Sequence, residues 1–156
     1  MPSSVERLLP AILSTTAGAV DVIGFLVLGG LFTAHITGNV GVLAAHYVTG
    51  RLSQNGPLLS VPVFVTVLGL LTMLSANKTA HRNRRGLLIL HATLLAGFLA
   101  ASVALGPFTN ADGGKAVFTG MLGVAAMATQ NALVKLALPG SPSTAVMTHE
   151  HHSDGR

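Results

Sequence analysis

Apolar residues run along this chain in blocks too long and too unbroken for a soluble fold. The first, "RLLPAILSTTAGAVDVIGFLVLGGLF" from Arg7 to Phe32, holds a single charge after Arg7, that of Asp21. "AGA" at 17–19 resembles a signal-peptide cleavage site. The apolar pattern continues well past it, so a membrane span over about 8–32 is the better reading. Gly29-Gly30 ends or bends that span.

"ITGNVGVLAAHYVTG", 36–50, would reach only ~22 Å as a helix, against a hydrocarbon core of ~30 Å. It predicts a half-helix or re-entrant piece. "LLSVPVFVTVLGLLTMLSA", 58–76, reaches ~28 Å and predicts a full span, with Pro62 tolerated or kinking in its first turns. Blocks at 87–106 and 116–138 predict two more. The expected fold is therefore all-α, a polytopic transmembrane bundle of about four spans plus a short half-helix. It forms one domain over 1–148, followed by a polar His-rich tail at 149–156.

Composition supports the same class. Half of the 156 residues are hydrophobic, 9% are charged, and the mean hydropathy is +0.64. Soluble domains carry ~25% charge, and so few charges could not cover a water-facing surface. The lipid bilayer is the expected partner, and the abundant Gly suits close helix approach and allows a homo-oligomer. The absence of Cys excludes disulfides, zinc–thiolate sites and thiol catalysis. A net charge of +4 raises nucleic acid as a partner, but four of the nine basic residues, Lys78, Arg82, Arg84 and Arg85, sit in one short loop. With no recognition motif, that loop reads as a topology signal and nucleic acid is not expected. A cytoplasmic loop 78–85 puts the N terminus inside and loop 107–115 outside if 36–50 re-enters. If 36–50 crosses, the N terminus flips.

The chain also echoes itself. With Leu28 set over Leu138, Asp21 falls on Asn131 and Leu26 on Leu136. Forwards, with one extra residue in the second copy, Gly30 meets Gly140, Thr33-Ala34 meets Thr144-Ala145, and Thr37 meets Thr148. Each copy is a span with a polar residue, a Gly break, then T-A-x-x-T. The fold is thus read as two pseudo-repeats with the second incomplete. Transporters are often built from such units, with discontinuous helices meeting at the substrate site.

Six residues are candidates for substrate or ion contact: Asp21, Thr37, Gly38, Asn39, Gln130 and Asn131. A carboxylate within a span costs ~2.5–3.5 kcal/mol on insertion scales, so Asp21 must face the bundle interior or water. It serves either as a contact for an ion, proton or solute, or as a structural group bonded to Asn131 or paired with Lys135. Thr37, Gly38 and Asn39 suit a helix start, where Thr or Asn can cap and Gly lets a ligand approach. Gln130 and Asn131 can glue helices at ~0.6 kcal/mol per side-chain bond, or meet a ligand. His35, His46 and His91 read as ordinary interfacial or packed residues, with a proton relay as the alternative, and Lys135 as a snorkelling one. His149, Glu150, His151 and His152 do not match H-E-x-x-H, so no metal site is expected. Phosphate-cradling loops, nucleophile elbows and paired catalytic carboxylates are absent. Neither a cofactor nor an enzymatic activity is expected.

"GAVDVIGFLVLGGLFTAHITGN" together with "ATQNALVKLALPGSPSTAVMT" resembles the YoaK family of bacterial membrane proteins, the DUF1275 family, from about Arg7 to Thr148. The resemblance rests on D-x-x-x-F-x-x-L-G-G with a following T-G-N, at Asp21, Phe25, Leu28–Gly30 and Thr37–Asn39. It rests also on Q-N-A with a following P-G and T-x-x-x-T, at Gln130–Ala132, Pro139, Gly140, Thr144 and Thr148. It implies a multi-pass protein of the bacterial plasma membrane and supplies no substrate. The pattern expects a Gly after Thr148 and further spans where this chain reads "HEHHSDGR", so the chain is expected to be truncated at its C-terminus. The functional expectation is a transporter or permease for a small solute, moved by a proton or ion gradient. The rival is a non-transporting assembly, regulatory or lipid-interacting membrane protein.

Overall fold

A computed structural model describes residues 4–49, 55–75 and 80–137. Among them every regular element is helical, in the order α1 (Ser4–Val27), α2 (Ile36–Val48), α3 (Asn55–Ser75), α4 (Ala80–Leu105) and α5 (Gly114–Ala137). Four are long and apolar enough to cross a membrane, over Leu8–Val27, Asn55–Ser75, Arg84–Leu105 and Gly114–Leu136. The chain is thus a multi-pass membrane protein with an all-helical fold.

The elements match the expected blocks, with two differences. α1 stops at Val27 rather than near Phe32, because Gly29 and Gly30 take φ of +68° and +99°, a backbone only glycine adopts freely. α4 starts at Ala80 rather than 87, so most of the expected basic loop 78–85 is its first turns. Arginine is a strong helix former, and a helix continues beyond the hydrocarbon without penalty. The second copy's break and the His-rich tail fall in 138–156, outside the described residues.

α5 forms the centre. It packs against α4 and α3 and, more sparsely, α1, and 72% of its span is buried against 28% for α1. One apolar cluster gathers Leu28, Leu31, Phe98, Ala126 and Met127, and another gathers Leu13, Leu87, Ala132 and Leu133. Between α1 and α2 the chain turns back into the bundle. Leu31 is almost wholly buried and lies against Gly56 of α3 and Gly120 of α5; a Cβ on Gly120 would stand 2.4 Å from Leu31 Cδ2. Thr33 sits between Gly24 and Gly123, where added Cβ atoms would come within 3.1 and 2.8 Å of its methyl. Glycines on three helices therefore make the slot that admits this segment.

The course of α2 follows from its neighbours. Gly29, at the end of α1, abuts Ala111 of the α4–α5 loop, and the Asn55 N–H at the start of α3 donates to Asp112 Oδ1 at 2.7 Å. These three ends share one face of the bundle. α2 begins beside Asp21, about 9 Å inside the end of α1 at 1.5 Å per residue, and its Val42, Ala45 and His46 line a cavity with Gly29 and Gly30. It starts within the span's depth and runs back to the same face. It is a half-helix, and α1, α3, α4 and α5 make the crossings.

Candidate functional site

The break is held by one carboxylate. Asp21, on α1 and buried, accepts three hydrogen bonds at Oδ1: from the Thr33 N–H at 2.6 Å, the Thr33 hydroxyl at 3.0 Å and the Ala34 N–H at 2.6 Å. Its Oδ2 pairs with Nδ1 of His35. The expected structural partners, Asn131 and Lys135, are not those observed. The returning segment supplies two backbone amides, a hydroxyl and an imidazole instead. That explains how a charge is tolerated in the span: each lone pair in use meets a donor, and a charge-assisted bond is worth about twice a neutral one.

Asn39 fixes the other side of the turn. It is fully buried, accepts from the Phe32 N–H at 2.8 Å, and donates to the Phe32 carbonyl at 2.7 Å and to Ser60 Oγ of α3 at 2.8 Å. The Ser60 hydroxyl in turn donates to the Pro57 carbonyl at 2.7 Å. Neither Thr37 nor Asn39 caps α2 in the expected way. The N-cap position is His35, which makes no side-chain cap bond. Gly38 is required by packing, since a Cβ there would stand 2.9 Å from the Phe32 ring.

A cavity of about 670 Å³ opens beside this carboxylate. Asp21, His35, Thr37 and Gly38 form its polar end, and Val22, Phe25, Leu26 and Phe32 its apolar walls. Phe25 and Phe32 stack with centroids 4.9 Å apart, and Phe32 meets the His35 ring edge-on at 6.4 Å. The His35 side chain is 55% exposed, so its ring is reachable from the cavity. A second cavity of about 420 Å³ adjoins it across Phe25 and Leu26 and is lined by His46.

Of the six candidates, Asp21, Thr37 and Gly38 line the larger cavity, while Asn39 is spent on the turn. Gln130 and Asn131 lie away from it on α5. Gln130 Nε2 donates to the Leu13 carbonyl of α1 at 2.9 Å, and Asn131 Nδ2 to the Met127 carbonyl at 3.3 Å. His35 is the site residue that reasoning from sequence did not place among the candidates. The available signal was the need of a lone buried acid for a partner, and the histidine stands just beyond the predicted break. His91, buried on α4, is a packed residue as expected, with Nδ1 3.0 Å from the Ala126 carbonyl.

The arrangement can hold a proton between a carboxylate and an imidazole and can present one ring nitrogen to a ligand in an otherwise apolar cavity. Among the described residues no group of acids and histidines has the geometry of a metal site. No curated protein and no solved structure matches the chain. Over residues 9–151, which include the whole break and the Asp21–His35 pair, the chain matches the family described as protein of unknown function (DUF1275), and it belongs to that family.

Proposed function

We propose that this protein is a permease-like carrier of a small solute, with the cavity at the α1–α2 break as its solute site. In this reading His35 is the contact and proton-bearing group. Asp21 is a positioning residue that orients the ring and anchors the loop. The observation that carries the reading is a paired carboxylate and imidazole at a helix break, facing a cavity within the membrane-spanning part of the chain. Broken helices at such depth are tolerated only where they are buried in protein or line a cavity, and ionisable groups there mark solute or proton routes. The basic stretch at 78–85 would lie on the cytoplasmic side, together with the N terminus. The reading includes no enzymatic step.

The saturation of Asp21 favours a second reading, in which the pair only locks the break and the protein transports nothing. Solute-dependent proton flux separates the two. Proteoliposomes carrying a trapped pH dye are compared for the native chain, Asp21→Asn and His35→Gln. The carrier reading expects flux in the native chain and its loss in both variants. Flux that survives both substitutions in stably inserted protein would sink it.

A further inference from the structure

The walls of the larger cavity point to what enters it. Val22 and Leu26 belong to the span Leu8–Val27, line the cavity, and are 59% and 75% exposed on the outside of the bundle. The cavity therefore opens through the side of α1, at the depth where bilayer hydrocarbon lies. We propose that its ligand is a single-chain amphiphile with a carboxylate head, taken sideways from the membrane. This rests on the carrier reading for its purpose, but not for the binding itself.

The choice of head follows from which polar groups remain unspent. Asp21 has committed both oxygens to Thr33, Ala34 and His35. His35 Nδ1 faces Asp21, which leaves Nε2 for the cavity. A ring that carries hydrogen on Nε2 donates from there into the cavity. Thr37 adds a hydroxyl with no hydrogen-bond partner among the described residues, and the uncapped start of α2 adds amide donors. Among the described residues no other ionisable side chain lines this cavity. The polar end thus offers donors to an acceptor head, while Phe25, Phe32, Val22 and Leu26 receive an apolar body. The volume lies within the usual range for small-ligand sites, roughly 300–1,000 Å³.

The chain contains no Trp, so one introduced indole reports alone. The full chain carrying Leu26→Trp is reconstituted in phosphatidylcholine–phosphatidylglycerol vesicles and titrated with dibrominated stearic acid, whose bromines quench the indole. Val103→Trp, on the outside of α4 and away from the cavity, reports simple partitioning. Quenching at Leu26→Trp is expected to saturate at a concentration at least about tenfold lower than at Val103→Trp. Adding His35→Phe should raise that midpoint about tenfold or more, the equivalent of one charge-assisted hydrogen bond. His35→Gln, which keeps an N–H donor, should restore most of it. Thr37→Val should raise the midpoint a few-fold without touching the Asp21 pair, so the assignment can be tested even if His35→Phe fails to insert.

Equal quenching at both reporters would overturn the proposal, as would a midpoint indifferent to both His35→Phe and Thr37→Val. So would saturation by brominated phosphatidylcholine as low as by the free acid, or tighter binding of a brominated alkylamine. Saturable quenching without proton-coupled flux keeps the ligand and removes the carrier. Flux without saturable quenching does the reverse.

Discussion

α1 and α5 each cross the membrane with buried polar side chains, and they satisfy them in opposite ways. α5 is surrounded, and its polar groups donate to helix carbonyls: Thr129 to Ala125 at 2.8 Å, Gln130 to Leu13, and Asn131 to Met127. α1 is sparsely covered, and Asp21 could not be buried against other helices in that way. Its partners come from the chain that follows it, folded back through a glycine slot. A central helix can hide its polar residues, whereas a peripheral helix must bring its own shield. The shield on α1 is a loop that also opens a cavity, which is why chemistry gathers there and not on the more polar α5.

The contrast predicts unequal sensitivity, and Asp21→Ala should show the largest effect. It leaves two buried amides, a hydroxyl and an imidazole without their acceptor. Each buried donor so stranded costs about 1–3 kcal/mol, and Thr33 alone supplies two. Unfolding in detergent micelles, followed by loss of monodisperse protein on heating, should shift accordingly. If Asp21→Ala were no worse than Asn131→Ala, the distinction between the helices would fail. Asn39→Ala comes next, because it strands the N–H and carbonyl of Phe32 and the Ser60 hydroxyl, at about 2–3 kcal/mol.

How much of this was legible in sequence depends on which force sets each feature. Span length and composition are imposed by the bilayer, so α3 and α5 fall within a few residues of the apolar blocks at 58–76 and 116–138. The half-helix was legible for the same reason: a block of that length cannot cross. Where α4 begins was not, since past the hydrocarbon the helix continues on the propensity of Arg82, Arg84 and Arg85 rather than on hydropathy. Asp21 stood out because a lone charge in lipid is conspicuous. His35 did not, because its role depends on a turn bringing it back to α1. No local pattern encodes that path. The slot at Gly24, Gly120 and Gly123 was hidden likewise, because any membrane helix carries glycines and only tertiary contact tells which are filled.

That slot supplies the next smaller test. Gly123→Ala would place a methyl 2.8 Å from Thr33 Cγ2 and 3.2 Å from the Phe98 ring. Thr33 is tethered to Asp21 through two bonds and cannot withdraw, so overpacking should cost about 1–3 kcal/mol. Gly18→Ala is the matched control on α1. Among the described residues nothing lies within 4 Å of its added Cβ, and helix propensity predicts a gain of up to ~1 kcal/mol. Equal losses at both positions in the same melting assay would mean that glycines matter here for flexibility and not for the slot.

The smallest expected effect belongs to Gln130→Leu, and it sharpens the comparison most. Gln130 looks like glue between α1 and α5, since it is buried and donates across to Leu13. Its Oε1, however, is buried with no hydrogen-bond partner among the described residues. An unmet acceptor costs about 1–3 kcal/mol, while an interhelical side-chain bond between membrane helices averages ~0.6 kcal/mol. The two contributions oppose each other. Leucine has a similar volume, and the neighbouring cluster of Leu13, Leu87 and Leu133 is apolar. Gln130→Leu should therefore leave the melting temperature unchanged or raise it slightly, although it removes a buried polar residue as Asp21→Ala does. A loss of more than about 2 kcal/mol would exceed what the one bond can supply. It would mean that Oε1 has a donor, such as an ordered water held between α1 and α5, and that the central helix too depends on a shield of its own.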